Sequence, residues 1–210
     1  MELSKRFGFY LLVLVVVSEL LLPFVLGHFI SGYRQTDMLI SSFGESGMKT
    51  RSAFRIWEII NGVGFLLAAP AFFNQFKEVS PIIGWGLLLS LSLFGIGDCI
   101  ITGLFARART VEEVGFTSLL HNFASGAGFI ALLVGNVLLI GAFYLEEKPV
   151  WTIVLGIILL LSLICMLLFA SPKIPLVNTL QVTQRGLWQR LNLFFLYLPF
   201  LLVSLAQIRR

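Results

Sequence analysis

Polar residues in this chain come in clumps, and the stretches between the clumps are almost wholly apolar. A helix needs about 20 mostly apolar residues to cross a hydrocarbon core about 30 Å thick, rising about 1.5 Å per residue. Six stretches reach that length, near residues 7–30, 55–76, 82–106, 118–145, 150–170 and 187–207. The expected fold class is therefore all-α. The chain reads as a polytopic membrane protein, a six-helix transmembrane bundle with both termini on the same side, forming one domain over residues 1–210. The first run follows Lys5-Arg6, as the core of a signal peptide would. It is too long for one, Glu19 interrupts it, and no small-residue cleavage site follows, so it reads as a retained helix. Pro23 and Gly27 predict a mild kink in its second half.

The connections differ in length. Those after helices 2 and 4 are short, over 74–81 and 146–149; those after helices 1, 3 and 5 are longer, over 31–54, 107–117 and 171–186. Alternating spans put the three long connections on one side, the loop face, and the termini on the other. Loop 31–54 mixes charged residues with Met38, Leu39, Ile40 and Phe43, which sit poorly in water. It is expected to fold back over the mouth of the bundle as a lid.

Composition agrees with the pattern. The chain is 58% hydrophobic and 12% charged, where a soluble domain carries about 25% charged residues. The net charge is +4, and the basic residues cluster at the ends of the apolar runs, as contact with lipid headgroups requires. No basic stripe interleaved with exposed aromatics is present, so nucleic acid is excluded as a partner and membrane lipids are expected. Raw counting gives the termini side Lys5, Arg6, Lys77, Lys148, Arg209 and Arg210. The loop side has Arg34, Lys49, Arg51, Arg55, Arg107, Arg109, Lys173, Arg185 and Arg190. The count alone puts the loop face inside. The termini side is the denser in positive charge, and Lys5-Arg6 precedes the first span, so the N- and C-termini are assigned to the cytoplasm of a multi-pass cell-membrane protein. Cys99 and Cys165 fall inside apolar runs and read as buried structural thiols, without a disulfide or a metal site.

Depth is the most informative feature. Glu58 and Asn61 lie near the loop end of helix 2, and Asp98 in the loop-side half of helix 3. His121 and Asn122 open helix 4; Gln189, Arg190 and Asn192 open helix 6; His28 closes helix 1. Glu19 is near the midplane, and Asn136 alone lies deep on the termini side. A charge at the centre of a spanning helix costs about 2.5–3.5 kcal/mol on insertion scales, so such groups face the bundle interior or a wet cavity. At helical spacing Gly95, Asp98 and Thr102 share one face, as do His121, Ser125 and Gly128. A hydrated pocket at the loop face is expected, built from Glu19, Glu58, Asn61, Asp98, His121, Ser125 and Arg190, with Arg34, Asp37 and Glu45 joining from the lid. Arg190 is the candidate counter-ion for Asp98 or Glu58. The plainer alternative seats first-turn polar residues among headgroups and pairs Glu58 with Arg55 at i,i+3.

Three stretches carry a family resemblance: Ile40-Ser41-Ser42-Phe43-Gly44-Glu45, then Gly95-Ile96-Gly97-Asp98 followed by Gly103-Leu104-Phe105, and His121 opening the next helix. In these the chain resembles a bacterial family of six-helix membrane proteins catalogued as domain of unknown function 998, itself distantly similar to Frag/DRAM/Sfk-type proteins. Ala106 stands where the family's usual proline follows the helix-3 phenylalanine. The resemblance implies the six-helix fold over almost the whole chain and, by analogy alone, a connection with lipids.

Three functions compete. The first is binding of a lipid headgroup or small amphiphile in the pocket, held by arginines that grip phosphate bidentately. The second is an intramembrane lipid-modifying hydrolase or transferase in which Asp98 orients His121 as the catalytic base, with Ser125 or a water as nucleophile. Two histidines are too few for a ceramidase-like zinc centre, so no metal and no cofactor are expected. The third is a small proton-coupled transporter using Glu19 and Asp98, against which no inverted repeat is seen.

Overall fold

The computed structural model describes residues 2–108, 114–174, 179 and 182–209. Arg109 and Arg210, and the side chains of Lys5 and Lys173, lie outside that description. Among the described residues there is no strand, and six helices are long and apolar enough to cross a membrane. They are α1 (Glu2–Gly27), α2 (Arg51–Phe76), α3 (Pro81–Leu104), α4 (Phe116–Leu145), α5 (Pro149–Ala170) and α6 (Arg185–Ile208). Each expected span is present, its ends moved by a few residues.

Local chemistry sets those ends. Gly32 turns the chain with φ +73 shortly after α1, a conformation that suits glycine because it has no Cβ. Ser80 caps α3 with its side-chain oxygen, and Pro81 occupies the first turn, where its missing N–H costs nothing. Pro149 does the same for α5. Pro23, Pro70 and Pro199 lie inside helices that continue through them, which neighbouring helices make tolerable in a membrane.

Sequence neighbours pack on one another, and α1 closes the ring against α6. Arg6 Nη1 donates to the Ile208 carbonyl (3.1 Å), so the start of α1 adjoins the end of α6. The bundle axis has two unlike halves. Toward the termini it is filled by aromatic rings. Phe65 meets Phe94 at 4.9 Å between centroids, Phe72 meets Phe200 at 5.5 Å, and Phe76 meets Phe143 at 6.0 Å. Toward the long loops it holds the polar residues.

Glycines let α3 sit deep between its neighbours. A Cβ on Gly62 of α2 would lie 2.5 Å from the Gly95 carbonyl oxygen, and one on Gly128 of α4 would lie 2.7 Å from Asp98 Cβ. Small residues at such contacts are how membrane helices approach closely. The loop end is capped by the chain between α1 and α2. Its 3₁₀ turn Ile40–Gly44 buries Ile40 and Phe43. Tyr33 stacks on Phe43 at 4.5 Å, and the Ile40 amide donates to Gln189 Oε1 (2.9 Å). The apolar residues of this loop thus leave water, as their chemistry requires.

Because Gly62 lies against the Gly95 carbonyl as well as Ile100 and Cys99, Gly62→Val must separate α2 from α3. It is expected to destabilise the bundle by about 1–3 kcal/mol, the usual range for overpacking. Gly156→Ala, where nothing lies within 4 Å, serves as the control. Thermal unfolding in detergent micelles should show a lower midpoint for the first and none of that loss for the second.

Candidate functional site

The loop-side half of the axis encloses a cavity of about 270 Å³. Its polar floor comes from three helices. Glu19 of α1, Glu58 of α2 and Asp98 of α3 all line it, with Thr102, His121 and Ser125 beside them. Helix α3 reaches the floor in an unusual way: residues Gly95–Ile101 are π-helical. The wider turn lets two consecutive residues serve the interior, Asp98 at the cavity and Cys99 against Glu58. Single π turns of this kind recur at functional sites.

Each acid has a different neighbourhood. Asn61 Nδ2 donates to Glu19 Oε1 (2.6 Å), and Ser18 Oγ in turn donates to Asn61 Oδ1 (3.1 Å). Ser125 Oγ donates to Asp98 Oδ1 (2.5 Å). Thr102 Oγ1 bonds the carbonyl oxygens of Asp98 and Cys99, bracing the widened turn. Glu58 and Glu19 offer carboxylate oxygens within 4.8 Å of each other and of Cys99 Sγ. His121 Nδ1 lies 2.8 Å from the Phe105 carbonyl. Among the described residues, none of the three acids makes an ion pair with lysine or arginine. Two negative charges about 5 Å apart repel by about 3 kcal/mol at an effective dielectric constant of about 20. The floor therefore favours protons or a cation.

The mouth has the opposite sign. Arg107 and Arg185 both reach the cavity. Arg107 Nη1 contacts Ser41 Oγ (3.5 Å), and Arg185 Nε contacts the Phe169 carbonyl (3.4 Å) with its guanidinium 5.9 Å from the Phe169 ring. Neither pairs with a carboxylate among the described residues. One wall is apolar: Phe129, Ile130, Met166, Phe169 and Leu193. On α4, Asn122, Gly126 and Ile130 form a single stripe that both lines the cavity and is exposed on the outside of the bundle; Ile130 is 59% exposed. The cavity thus opens sideways, between α4 and α5, at the surface that faces lipid.

Five expected pocket residues do meet there: Glu19, Glu58, Asp98, His121 and Ser125. Asn61 stands behind Glu19. The others are elsewhere. Arg34 pairs with Asp37 on the surface, and Glu45 follows the 3₁₀ turn outside the cavity lining. Arg190 is a strut for the loop rather than a counter-ion. It donates to Gln35 Oε1 (2.9 Å), the Met38 carbonyl (2.9 Å), the Gly186 carbonyl (2.7 Å) and Tyr33 OH (2.5 Å). Burial raises the Tyr33 phenol above its ordinary range, against the pull of the Arg190 charge. Arg55 donates to the Gly103 carbonyl (2.8 Å), so the i,i+3 pairing with Glu58 does not form. His28 is exposed. Sequence reasoning missed Arg107, Arg185 and Gln189 as cavity residues, because flanking arginines look alike whether they face headgroups or a mouth.

An α-helical bundle with six helices long and apolar enough to cross a membrane, and a polar cavity toward one end, defines a multi-pass membrane protein. The chain belongs to the family described as "Protein of unknown function (DUF998)", whose profile matches residues 12–206. No curated protein and no solved structure matches it.

Asn61→Leu removes the donor to a buried carboxylate while keeping side-chain volume. Orphaning a buried acceptor costs about 1–3 kcal/mol, more when it is charged. Equilibrium unfolding in mixed micelles should show at least that loss, and Asn122→Leu, at an exposed position, should show none.

Proposed function

We propose that this protein binds the anionic headgroup of a membrane lipid, or a small amphiphile of the same build, in the loop-face cavity. The observation that carries the reading is the pair of arginines, Arg107 and Arg185, at the mouth of a cavity that also opens sideways into the lipid-facing surface. An anionic headgroup would sit between the guanidinium groups, which suit phosphate oxygens bidentately. Its chains would lie along Ile130, Met166 and Phe169 without crossing a polar barrier. Loop residues Leu39, Ile40 and Ser41 cover the mouth, which suits a lid that moves when the ligand enters. With the termini in the cytoplasm of a cell membrane, the mouth faces outward.

A second reading rests on the Ser125–Asp98 bond (2.5 Å). A serine hydroxyl donating to a carboxylate in a cavity that also holds His121 is the start of a hydrolase or transferase site. The transporter reading has less support, because aromatic rings fill the termini-side half of the axis.

The test is native mass spectrometry of the delipidated full chain after exposure to phosphatidylglycerol or phosphatidylcholine. Wild type is expected to retain phosphatidylglycerol in preference. Arg107→Gln combined with Arg185→Gln should lower that retention by about tenfold, the equivalent of about 1.4 kcal/mol. Equal retention by wild type and variant would contradict the reading. For the second reading, Ser125→Ala should abolish turnover of a fluorescent phospholipid in proteoliposomes; no turnover by wild type would remove it.

A further inference from the structure

The floor of the cavity holds a donor set that the headgroup reading does not use. We infer that Glu19, Glu58 and Cys99 form a divalent-metal site of the zinc class. One carboxylate oxygen from each glutamate and Cys99 Sγ lie within 4.8 Å of one another, all on buried residues from three different helices. Two carboxyl groups and a thiol meet at one point inside hydrocarbon, and no lysine or arginine pairs with either glutamate among the described residues. A dication would let all three give up their protons and serve together as ligands. Mixed sulfur and oxygen donors suit zinc, while magnesium and calcium take oxygen alone.

A second observation points to the same place. Tyr197 is 2% exposed, and its phenol oxygen has no hydrogen-bond partner among the described residues. Its ring sits between Phe65, about two helical turns from Glu58, and Phe94, about one turn from Asp98. Side chains tilt toward the N-terminus of their helix, which on α6 is the loop end. The phenol therefore points from between those rings toward the acid floor. A buried hydroxyl left unpaired is costly; a bound ion, or water on it, gives this one a partner. The supporting shell is in place as well. Ser18 fixes Asn61, Asn61 holds Glu19 Oε1, and Thr102 braces the π turn that carries Cys99. Orientation of ligands by such second contacts is general in metal centres. Binding displaces the Cys99 thiol proton and any proton that the two glutamates share, as the metal–sulfur and metal–oxygen bonds form. Glu19 and Glu58 both line the cavity, so the ion and the released protons pass through the mouth.

This site is independent of the arginine mouth, and its test reads neither lipid nor turnover. The purified full chain in detergent, stripped with a chelator, is titrated with Co(II) and separately with Zn(II). About one ion per chain is expected, with a near-ultraviolet thiolate-to-cobalt charge-transfer band. Cys99→Ser should remove the band, and Cys165→Ser should leave it. Tyr197→Phe should weaken affinity by about tenfold, typical of losing a group that orients a site. Each variant is checked by size-exclusion profile and thermal midpoint. The cobalt spectrum of wild type needs no variant, so the inference stays testable if one misfolds. Far less than one ion per chain at saturating cobalt, or a band that survives Cys99→Ser, would overturn it. In the first case the two glutamates share a proton instead.

Discussion

A charge or an unpaired polar group inside hydrocarbon must find its partner within the protein, because no water reaches it there. Most of this structure answers that constraint. Three acids on the first three helices have their carboxyl groups at one level, and the helices close around them as a ring. Other polar groups pair between helices: Ser162 with Asn192 (3.1 Å), and Asn136 Nδ2 with the Leu196 carbonyl (3.3 Å). The outer surface is left apolar, with large hydrophobic side chains facing outward along α1 to α5.

The same constraint divides the axis. Aromatic rings fill most of the termini-side half, where Ser90 donates to the Ala131 carbonyl and Asn136 to the Leu196 carbonyl. The loop-side half can stay open because polar residues line it. Close contacts at Gly62, Gly95 and Gly128 bring α2, α3 and α4 near enough for Glu58, Asp98 and Ser125 to meet. Packing at the glycines and chemistry at the cavity are therefore one arrangement. A side chain added at the first would pull apart the second.

Much of this was legible in the chain. Six apolar runs predicted six helices, and alternation placed Glu19, Glu58, Asp98, His121 and Ser125 at a shared depth, which the structure turns into a shared cavity. Depth, however, does not specify partners. Arg190 lies at the right level to neutralise Asp98, yet it fans onto loop carbonyls and Tyr33, because the loop brings four acceptors to it. Arg107 and Arg185 flank their spans like any basic residue, and only the packing of α3, α5 and α6 turns them toward the mouth. Cys99 looks like a small apolar filler by sequence. A π turn, invisible to a 3.6-residue periodicity, sets it beside Glu58.

The central claim is that the polar level faces a water-accessible interior rather than acyl chains. Cysteine accessibility tests it directly. In a background with Cys99→Ser and Cys165→Ser, Ser125→Cys lines the cavity and Leu160→Cys replaces a side chain 58% exposed on the outside of α5. In intact membranes a charged, membrane-impermeant thiol reagent should modify the first and spare the second. Protection of both, or reaction at Leu160→Cys alone, would contradict the account.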